Sequence, residues 1–188
     1  MAIGLRPVRY KSGAPYNGAA NTYFVPASDG TALFVGDPVI IAGGGDADGV
    51  STVTRAAAGA RITGVVVGFQ PLTTAGVTEL GYRAASTACY VLVADDPALV
   101  FEAEEDAVGG ALAAADIGLN VDVVAAAGST VTKRSGYLLD SSTKATDAAQ
   151  LRIVGFSQRV NNVIGSDPLV LVSIVEATES PAAGTTGV

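Results

Sequence analysis

The stretch that decides the fold class lies at residues 88–106 and reads ACYVLVADDPALVFEAEED. Two runs of apolar, β-branched and aromatic residues, 88–94 and 99–103, flank Asp95-Asp96-Pro97. Proline pushes the preceding residue out of the helical region, and an aspartate can bond its own backbone, so this tripeptide predicts a turn between two strands. Short β-rich runs between Gly, Pro and Asp turns recur from residue 22 onward, which is typical of an all-β protein.

The same pattern predicts strands at residues 22–26, 38–42, 62–69, 88–94, 99–103, 121–125, 130–133, 151–159 and 169–176. One short helix is predicted at residues 110–117, because Leu112 and its neighbouring alanines favour it and Gly118 could supply a left-handed C-cap. Two similar segments, TGVVVGF (63–69) and LRIVGF (151–156), place Gly68 and Gly155 before a Phe, which indicates bulges there.

The organisation predicted from these patterns is one domain with two extensions. Residues 1–22 are polar, punctuated by Pro and Gly, and non-periodic, so they indicate an extended N-terminal arm. Residues 23–178 form the predicted single β domain, and residues 179–188 a flexible C-terminal tail. The fold class is therefore all-β, a small barrel- or sandwich-like domain with one short helix and an extended N-terminal arm.

Composition restricts the function classes. Only 15% of the 188 residues are charged, below the roughly 25% of ordinary soluble proteins, while 49% are apolar. A chain with so few charges is expected to hide surface by self-association or by attachment to a large partner. The net charge of −7 argues against a nucleic-acid partner. No apolar run approaches the ~18 residues of a membrane helix, so no membrane partner is expected.

Clustered carboxylates are the main candidate for chemistry. Residues 84–132 contain no Lys or Arg but hold eight carboxylates. Six of them form what we call the acidic block: Asp95, Asp96, Glu102, Glu104, Glu105 and Asp106. Such a block could be an acid/base pair or a hard-cation site, since Ca²⁺ takes oxygen ligands. It could equally be a solvated or partner-facing edge, whose like charges discourage edge-to-edge aggregation of sheets.

The remaining motifs favour the second interpretation. The chain has no histidine, which removes the usual nucleophile arrangements and the commonest zinc ligand. The segment GGGDADG at residues 43–49 fails as an EF-hand loop, because Val50 and Ala57 stand where oxygen ligands are needed. Sugar sites want stacking aromatics, and aromatic residues are only 6% of this chain. We therefore predict no enzyme activity, no catalytic residue, no metal and no cofactor.

Five segments, taken in order, carry a resemblance to a known group of proteins. They are VPASDGTALFVGDPV (25–39), YVLVADDPALVFEAEED (90–106), DIGLNVD (116–122), SGYLLDSST (135–143) and LRIVGF (151–156). In this order and spacing, residues 22–176 resemble the capsid decoration, or cement, proteins of tailed bacteriophages. The family has no catalytic residues to carry over.

The resemblance implies a virion structural protein, made in the host cytoplasm, that binds the outer capsid surface. It would clamp the major capsid protein against internal DNA pressure, and its self-association would be trimeric in preference to dimeric. A head-fibre base or tail-associated β module is the alternative, and a carboxylate-based hydrolase or calcium-binding module a more distant one. The residues predicted to contact the shell or a neighbour are Leu5, Arg6, Val8, Arg9, Tyr10, Lys11, Tyr16, Asp95, Asp96, Glu102 and Glu104.

Overall fold

The computed structural model describes residues 2–71, 81–146, 148–165 and 167–175 and is nearly all-β, which confirms the predicted fold class. Within these residues eleven strands and one 3-10 helix follow one another. The strands are β1 (Arg6–Tyr10), β2 (Asn21–Val25), β3 (Pro38–Gly45), β4 (Ser51–Arg55), β5 (Gly64–Pro71), β6 (Cys89–Ala94), β7 (Leu99–Glu104), β8 (Asn120–Val124), β9 (Leu138–Ala145), β10 (Leu151–Phe156) and β11 (Leu169–Ile174). The 3-10 helix is Ala114–Asp116, which lies within the short helix predicted at residues 110–117 but covers only three of its residues.

The strands form two sheets. Five strands close into a barrel in the order β2-β4-β3-β5-β6, with β6 pairing back onto β2. Six strands form a second sheet in the order β1-β7-β11-β10-β8-β9. Closure in the barrel removes the free edges that would otherwise invite aggregation. In the second sheet a bridge between Glu105 and Leu139 brings β9 back to the end of β7.

The Asp95-Asp96-Pro97 turn is the point where the chain passes from the barrel to the second sheet. Strand β6 pairs with β2 and β5 in the barrel, whereas β7 pairs with β1 and β11 in the other sheet. The Asp96 side chain accepts the backbone N–H of Ala98 at 2.7 Å, which is the local bond expected of an Asx turn. Two predicted strands are therefore real, and their connection crosses between sheets.

The core has two parts. One cluster fills the barrel with small β-branched side chains, including Val39, Val53 and Val91. The other fills the second sheet around Phe101 and Tyr137 and extends to Val65 of barrel strand β5. In β10 buried and exposed residues alternate, the period of two expected for a strand with one face in the core.

The N-terminal segment differs from the predicted arm. Residues 6–10 are extended, but they form strand β1, which pairs antiparallel with β7 in the second sheet. The residue before it, Leu5, is 1% exposed, and its N–H donates to the Gly36 carbonyl at 3.0 Å. The chain then folds back, because the Tyr16 N–H donates to the Val8 carbonyl at 3.1 Å. The local sequence predicts an arm because the residues that pair with this segment are distant in the chain.

Other local predictions were mixed. Strands β4 and β9 were not predicted, and residues 130–133, predicted as a strand, form a turn. The bulges predicted at Gly68 and Gly155 are confirmed, since the pairing register shifts between Val66 and Gly68 and between Ile153 and Gly155. Residues 179–188, predicted as a flexible tail, lie outside the described residues.

Candidate functional site

The acidic block begins with two carboxylates that hold the crossover between the sheets. The Asn21 side-chain amide donates to both oxygens of the Asp95 carboxylate, at 2.9 and 3.0 Å. The Tyr23 hydroxyl donates to the same carboxylate at 2.7 Å. Asp95 thus fastens the start of β2 to the end of β6. Asp96 caps the turn, as described above. Both positions were predicted to contact a partner, and the structure gives each of them a role in folding.

Glu102 is buried rather than on a charged edge. Its side chain is 2% exposed, and its Oε2 forms ion pairs with Arg6 at 3.0 Å and Arg159 at 2.9 Å. Its Oε1 accepts a hydrogen bond from the Ser157 hydroxyl at 2.7 Å. A buried carboxylate is stable only when paired in this way. Glu102 therefore connects β1, β7 and the loop after β10.

The last carboxylates of the block are also engaged. Glu105 is 2% exposed and accepts the backbone N–H of Leu112 at 2.6 Å; burial is the main cause that raises the pKa of its carboxyl. Asp106 Oδ1 accepts from the N–H and the hydroxyl of Ser141, at 3.1 and 3.0 Å. These contacts attach the end of β7 to β9. The second sheet therefore encloses Glu102 and Glu105, which do not lie on a solvated edge, whereas Asp96 is exposed and the other members of the block are half-buried.

Within the described residues no three His, Cys, Asp or Glu side chains come together in a way that could hold a metal ion. The segment at residues 43–49, which fails as an EF-hand loop, runs from the end of β3 into the hairpin tip before β4. There the Asp46 carboxylate accepts the Val50 N–H at 2.8 Å and the Tyr90 hydroxyl at 2.6 Å. These bonds are the main causes that lower the pKa of Asp46, and the same contact raises the pKa of Tyr90 to about 12. The aspartate thus stabilises the tip.

The predicted N-terminal contact residues divide into two groups. Leu5 lies in the core, so in this fold its side chain is not available to a partner. Tyr10 and Tyr16 pack against the same core with their rings, and the Tyr16 hydroxyl donates to the Ala19 carbonyl at 2.9 Å. Burial is the first cause that raises the pKa of Tyr16. The predicted apolar anchors of an arm are therefore anchors within the chain itself.

The polar members of this group lie nearer the solvent. Arg6 is half-exposed and forms an ion pair with Glu102. Lys11 donates to the Pro97 carbonyl at 3.0 Å, and Arg9 donates to the Tyr10 carbonyl at 3.3 Å. Val8 is half-buried where the β1 register shifts. Of the predicted set, Arg6 and Glu102 are brought together directly, and Glu104 lines the cleft beside them.

Sequence reasoning missed the surface that adjoins Arg6. Two open clefts of about 450 and 510 Å³ share three lining residues, Ile3, Arg6 and Arg134. The second cleft is also lined by Arg159 and Val160. A signal was present in the sequence, since VNNVIG at residues 160–165 sets aliphatic side chains among turn-forming residues. The pattern alone does not show that this segment lies beside Arg6, because the two are far apart in the sequence.

A second polar group missed from the sequence lies between the two sheets. Asp37 is fully buried, and its Oδ2 accepts the Phe34 N–H at 2.9 Å. Burial raises the pKa of Asp37 to about 6, although hydrogen bonding from Ser135 and Phe34 and the charge of Arg55 act in the opposite direction. Arg55 in turn donates to the Tyr137 hydroxyl at 2.9 Å. This network joins the barrel to the second sheet, so its buried polar groups have a role in holding the fold together.

Comparison of the chain with protein-family models, with curated proteins and with solved structures finds no match in any of the three. None of the described helices is long and apolar enough to cross a membrane. Fold and site together define a nearly all-β protein whose acidic block is built into its fold, with a cationic and aliphatic surface beside β1.

Proposed function

We propose that this chain is a virion structural protein that binds the outer surface of a tailed-phage head and stabilises the lattice of the major capsid protein. The observation that carries the proposal is that carboxylates of the acidic block serve the fold. Glu102, Glu105 and Asp106 hold strands together through short contacts. The feature that remains for function is an exposed surface suited to binding, and the ordered resemblance of residues 22–176 to decoration proteins indicates the partner.

The physical properties of the chain support such a role. A decoration protein needs a rigid body and a contact repeated on many equivalent shell subunits, so that weak individual contacts act together. The closed barrel and the curled second sheet supply a body with few free strand edges. The low content of charged residues, 15%, fits a protein whose surface is covered by neighbours. We propose a homotrimer in preference to a dimer, located on the outer face of the shell after synthesis in the host cytoplasm.

The test is binding to heads that lack the protein. Purified chain is mixed with such heads, bound and free protein are separated by sedimentation, and heat resistance of the heads is measured with and without the chain. The proposal expects saturable binding, in proportion to the number of shell subunits, and a higher temperature of head disruption. Binding that is absent, or limited to a few copies per head, contradicts it.

A further inference from the structure

The surface beside β1 has a built-in arrangement of cations. We call it the arginine cleft and define it by Ile3, Arg6, Arg134, Arg159 and Val160. The two clefts of about 450 and 510 Å³ described above share Ile3, Arg6 and Arg134, and the second is also lined by Arg159 and Val160. Of the residues predicted to contact a partner, Leu5, Arg6 and Tyr16 line the first cleft and Arg6 and Glu104 the second, while Glu102 pairs with Arg6 and Arg159.

Glu102 fixes two of these arginines from below. The Nη2 atoms of Arg6 and Arg159 lie 3.0 and 2.9 Å, respectively, from Oε2 of Glu102. A guanidinium has five N–H donors in a rigid fork, so this shared contact leaves donors on both side chains. Both side chains remain 48% exposed. Two cations are thus held in place by one buried anion, while both side chains stay accessible to solvent.

Arg134 adds a third guanidinium to the cleft. In the part of the chain that the structure describes, its side chain takes part in no hydrogen bond or ion pair, and the residue is exposed. Its backbone is held by bridges to Val35 and Ser129. The next residue back, Lys133, lies over the Tyr82 ring at 4.8 Å and lines the neighbouring cleft. The position of Arg134 is therefore set by its backbone, while its charge is available.

Exposed aliphatic side chains lie in the segments that carry Arg134 and Arg159. Val160 is 90% exposed, Val163 63% and Val131 87%, which is far more exposure than aliphatic residues usually have. Val160 lines the cleft with Arg159, and Val131 lies in the turn that carries Arg134. The surface therefore combines guanidinium donors with an apolar margin.

The charge of the cleft is the reverse of that of the chain. The two clefts together are lined by four cations, and three carboxylates lie in or below them, a balance of +1 in a chain of net charge −7. The lining cations are Arg6, Lys133, Arg134 and Arg159. The acids are Glu102, Glu104 and Asp167.

We infer that the arginine cleft binds a side-chain carboxylate presented by an aliphatic segment of another protein. The carboxylate would take the free donors of Arg134 and of the Arg6–Arg159 pair, since guanidinium forks match carboxylate oxygens. The aliphatic neighbours of that carboxylate would cover Val160 and Val131. A nucleic-acid backbone fits less well, because three acids share the site and the exposed margin is aliphatic rather than aromatic.

The inference deepens the proposed function, on which it rests for the identity of the partner as the shell protein. The chemistry of the cleft can be tested without the shell. The probe is the peptide N-acetyl-Val-Ala-Glu-Ala-Val-amide, with a peptide carrying Gln in place of Glu and a thymidine oligonucleotide for comparison. The side-chain Nε–Hε signals of Arg6, Arg134 and Arg159 are followed by NMR, and that of exposed Arg61 serves as the control.

The Glu peptide is expected to shift the three cleft signals in a saturable way and to leave Arg61 unchanged, while the Gln peptide shifts none. Arg134→Glu should abolish the response. Equal effects of the Glu and Gln peptides, equal shifts at Arg61, or a response to the oligonucleotide alone overturn the inference.

Head binding supplies the second arm. Arg134→Glu and Val160→Asp change exposed cleft residues, and Arg61→Glu and Val108→Asp make the same changes at exposed positions outside it. The cleft variants should bind heads at least about tenfold more weakly, because each places a carboxylate against the incoming one, and the controls should bind as wild type does. If wild type binds and the cleft variants bind equally well, the cleft inference fails and the proposed function stands. If wild type does not bind heads, the proposed function fails and the peptide titration still decides the chemistry of the cleft.

Discussion

Arg83 is the largest side chain that the described part of the chain buries completely. Its guanidinium donates to four backbone carbonyls, those of Thr87, Thr31, Pro26 and Asp29, over 2.5–2.9 Å. The Asp29 carboxylate lies 3.9 Å away. These bonds hold the loop between β2 and β3 against the segment before β6. A buried arginine is tolerated because its donors are matched by carbonyl acceptors.

Arg83→Lys tests this role. A lysine ammonium cannot reach four carbonyls arranged around a planar fork, and each lost bond to a charged group is worth about 1.5–3 kcal/mol. We expect the variant to lose about 3 kcal/mol or more of unfolding free energy, measured by urea denaturation. Arg61→Lys, at an exposed site, is the control and should change stability by less than about 0.5 kcal/mol. A similar small change in Arg83→Lys would contradict the structural role.

Asp37 gives a prediction about pH. Its folded pKa of about 6 lies above the ordinary value of 3.8, so the folded state binds the proton more tightly than the unfolded state. The group therefore favours folding below pH 4, and this contribution is lost as the pH rises towards 6. A shift of this size corresponds to about 3 kcal/mol.

In Asp37→Asn the titrating group is removed while its shape is kept. Relative to wild type, the variant should gain stability between pH 4 and pH 7, by up to about 3 kcal/mol, in urea denaturation at both pH values. Asp48→Asn on the hairpin tip corrects for the loss of one charge. If the difference in unfolding free energy between variant and wild type does not change with pH, the pKa of Asp37 is not raised in the folded protein.

At the scale of elements, contacts at the start of β1 attach this short strand to the rest of the fold. The N–H of Leu5 is bound by Gly36, and Glu102 of β7 pairs with Arg6. The side chain of Leu5 packs in the same cluster as Phe101. The segment is thus part of the packed second sheet, although its own residues are mostly half-exposed.

Leu5→Ala distinguishes a strand from a free arm. Truncation of a buried leucine removes contacts and leaves a cavity, so we expect a loss of about 2–5 kcal/mol in unfolding free energy. Lys11→Ala, on the exposed end of the segment, should have little effect. An unchanged urea midpoint for Leu5→Ala would mean that the segment behaves as the arm predicted from the sequence.

Gly64 in β5 is closely surrounded by backbone atoms, whereas Gly155 in β10 has open space beside it. A Cβ at Gly64 would lie 2.6 Å from the Ala94 carbonyl oxygen and 2.8 Å from the Asp95 Cα, both of them backbone atoms. A Cβ at Gly155 would meet nothing within 4 Å. Gly64→Ala should therefore cost about 1–3 kcal/mol or more through overpacking, whereas Gly155→Ala should be close to neutral. Thermal unfolding of the pair checks this, and equal effects would contradict the close approach of β5 and β6.

Sequence patterns predicted the elements whose side chains alternate or cluster by polarity. Strands β6, β7 and β10 were found because their apolar residues are contiguous or at period two. Strand β9, with Asp140, Ser141 and Ser142, was missed because its polar residues bond to other polar groups within the sheet. Glu102 was assigned to a solvated edge for the same reason. Its partners Arg6 and Arg159 are far away in the chain, and no local pattern reveals such a meeting.

At the scale of the whole molecule, many acids stabilise the fold, and four cations line the two neighbouring clefts beside β1. Acidic side chains fasten the crossover, the hairpin tip and the end of β7. The resulting molecule has a net charge of −7 and one surface that favours carboxylates. Such a surface can be repeated across a lattice of shell subunits, where weak contacts add up by multivalency.

The most direct test of the proposed function is a density map of the intact phage head, combined with a count of copies of this chain per particle. The account predicts that the chain occupies repeated positions on the outer face of the shell, in numbers proportional to the shell subunits, with β1 and the arginine cleft towards a shell protein. Absence from the particle, or a handful of copies at a vertex or on the tail, would contradict it.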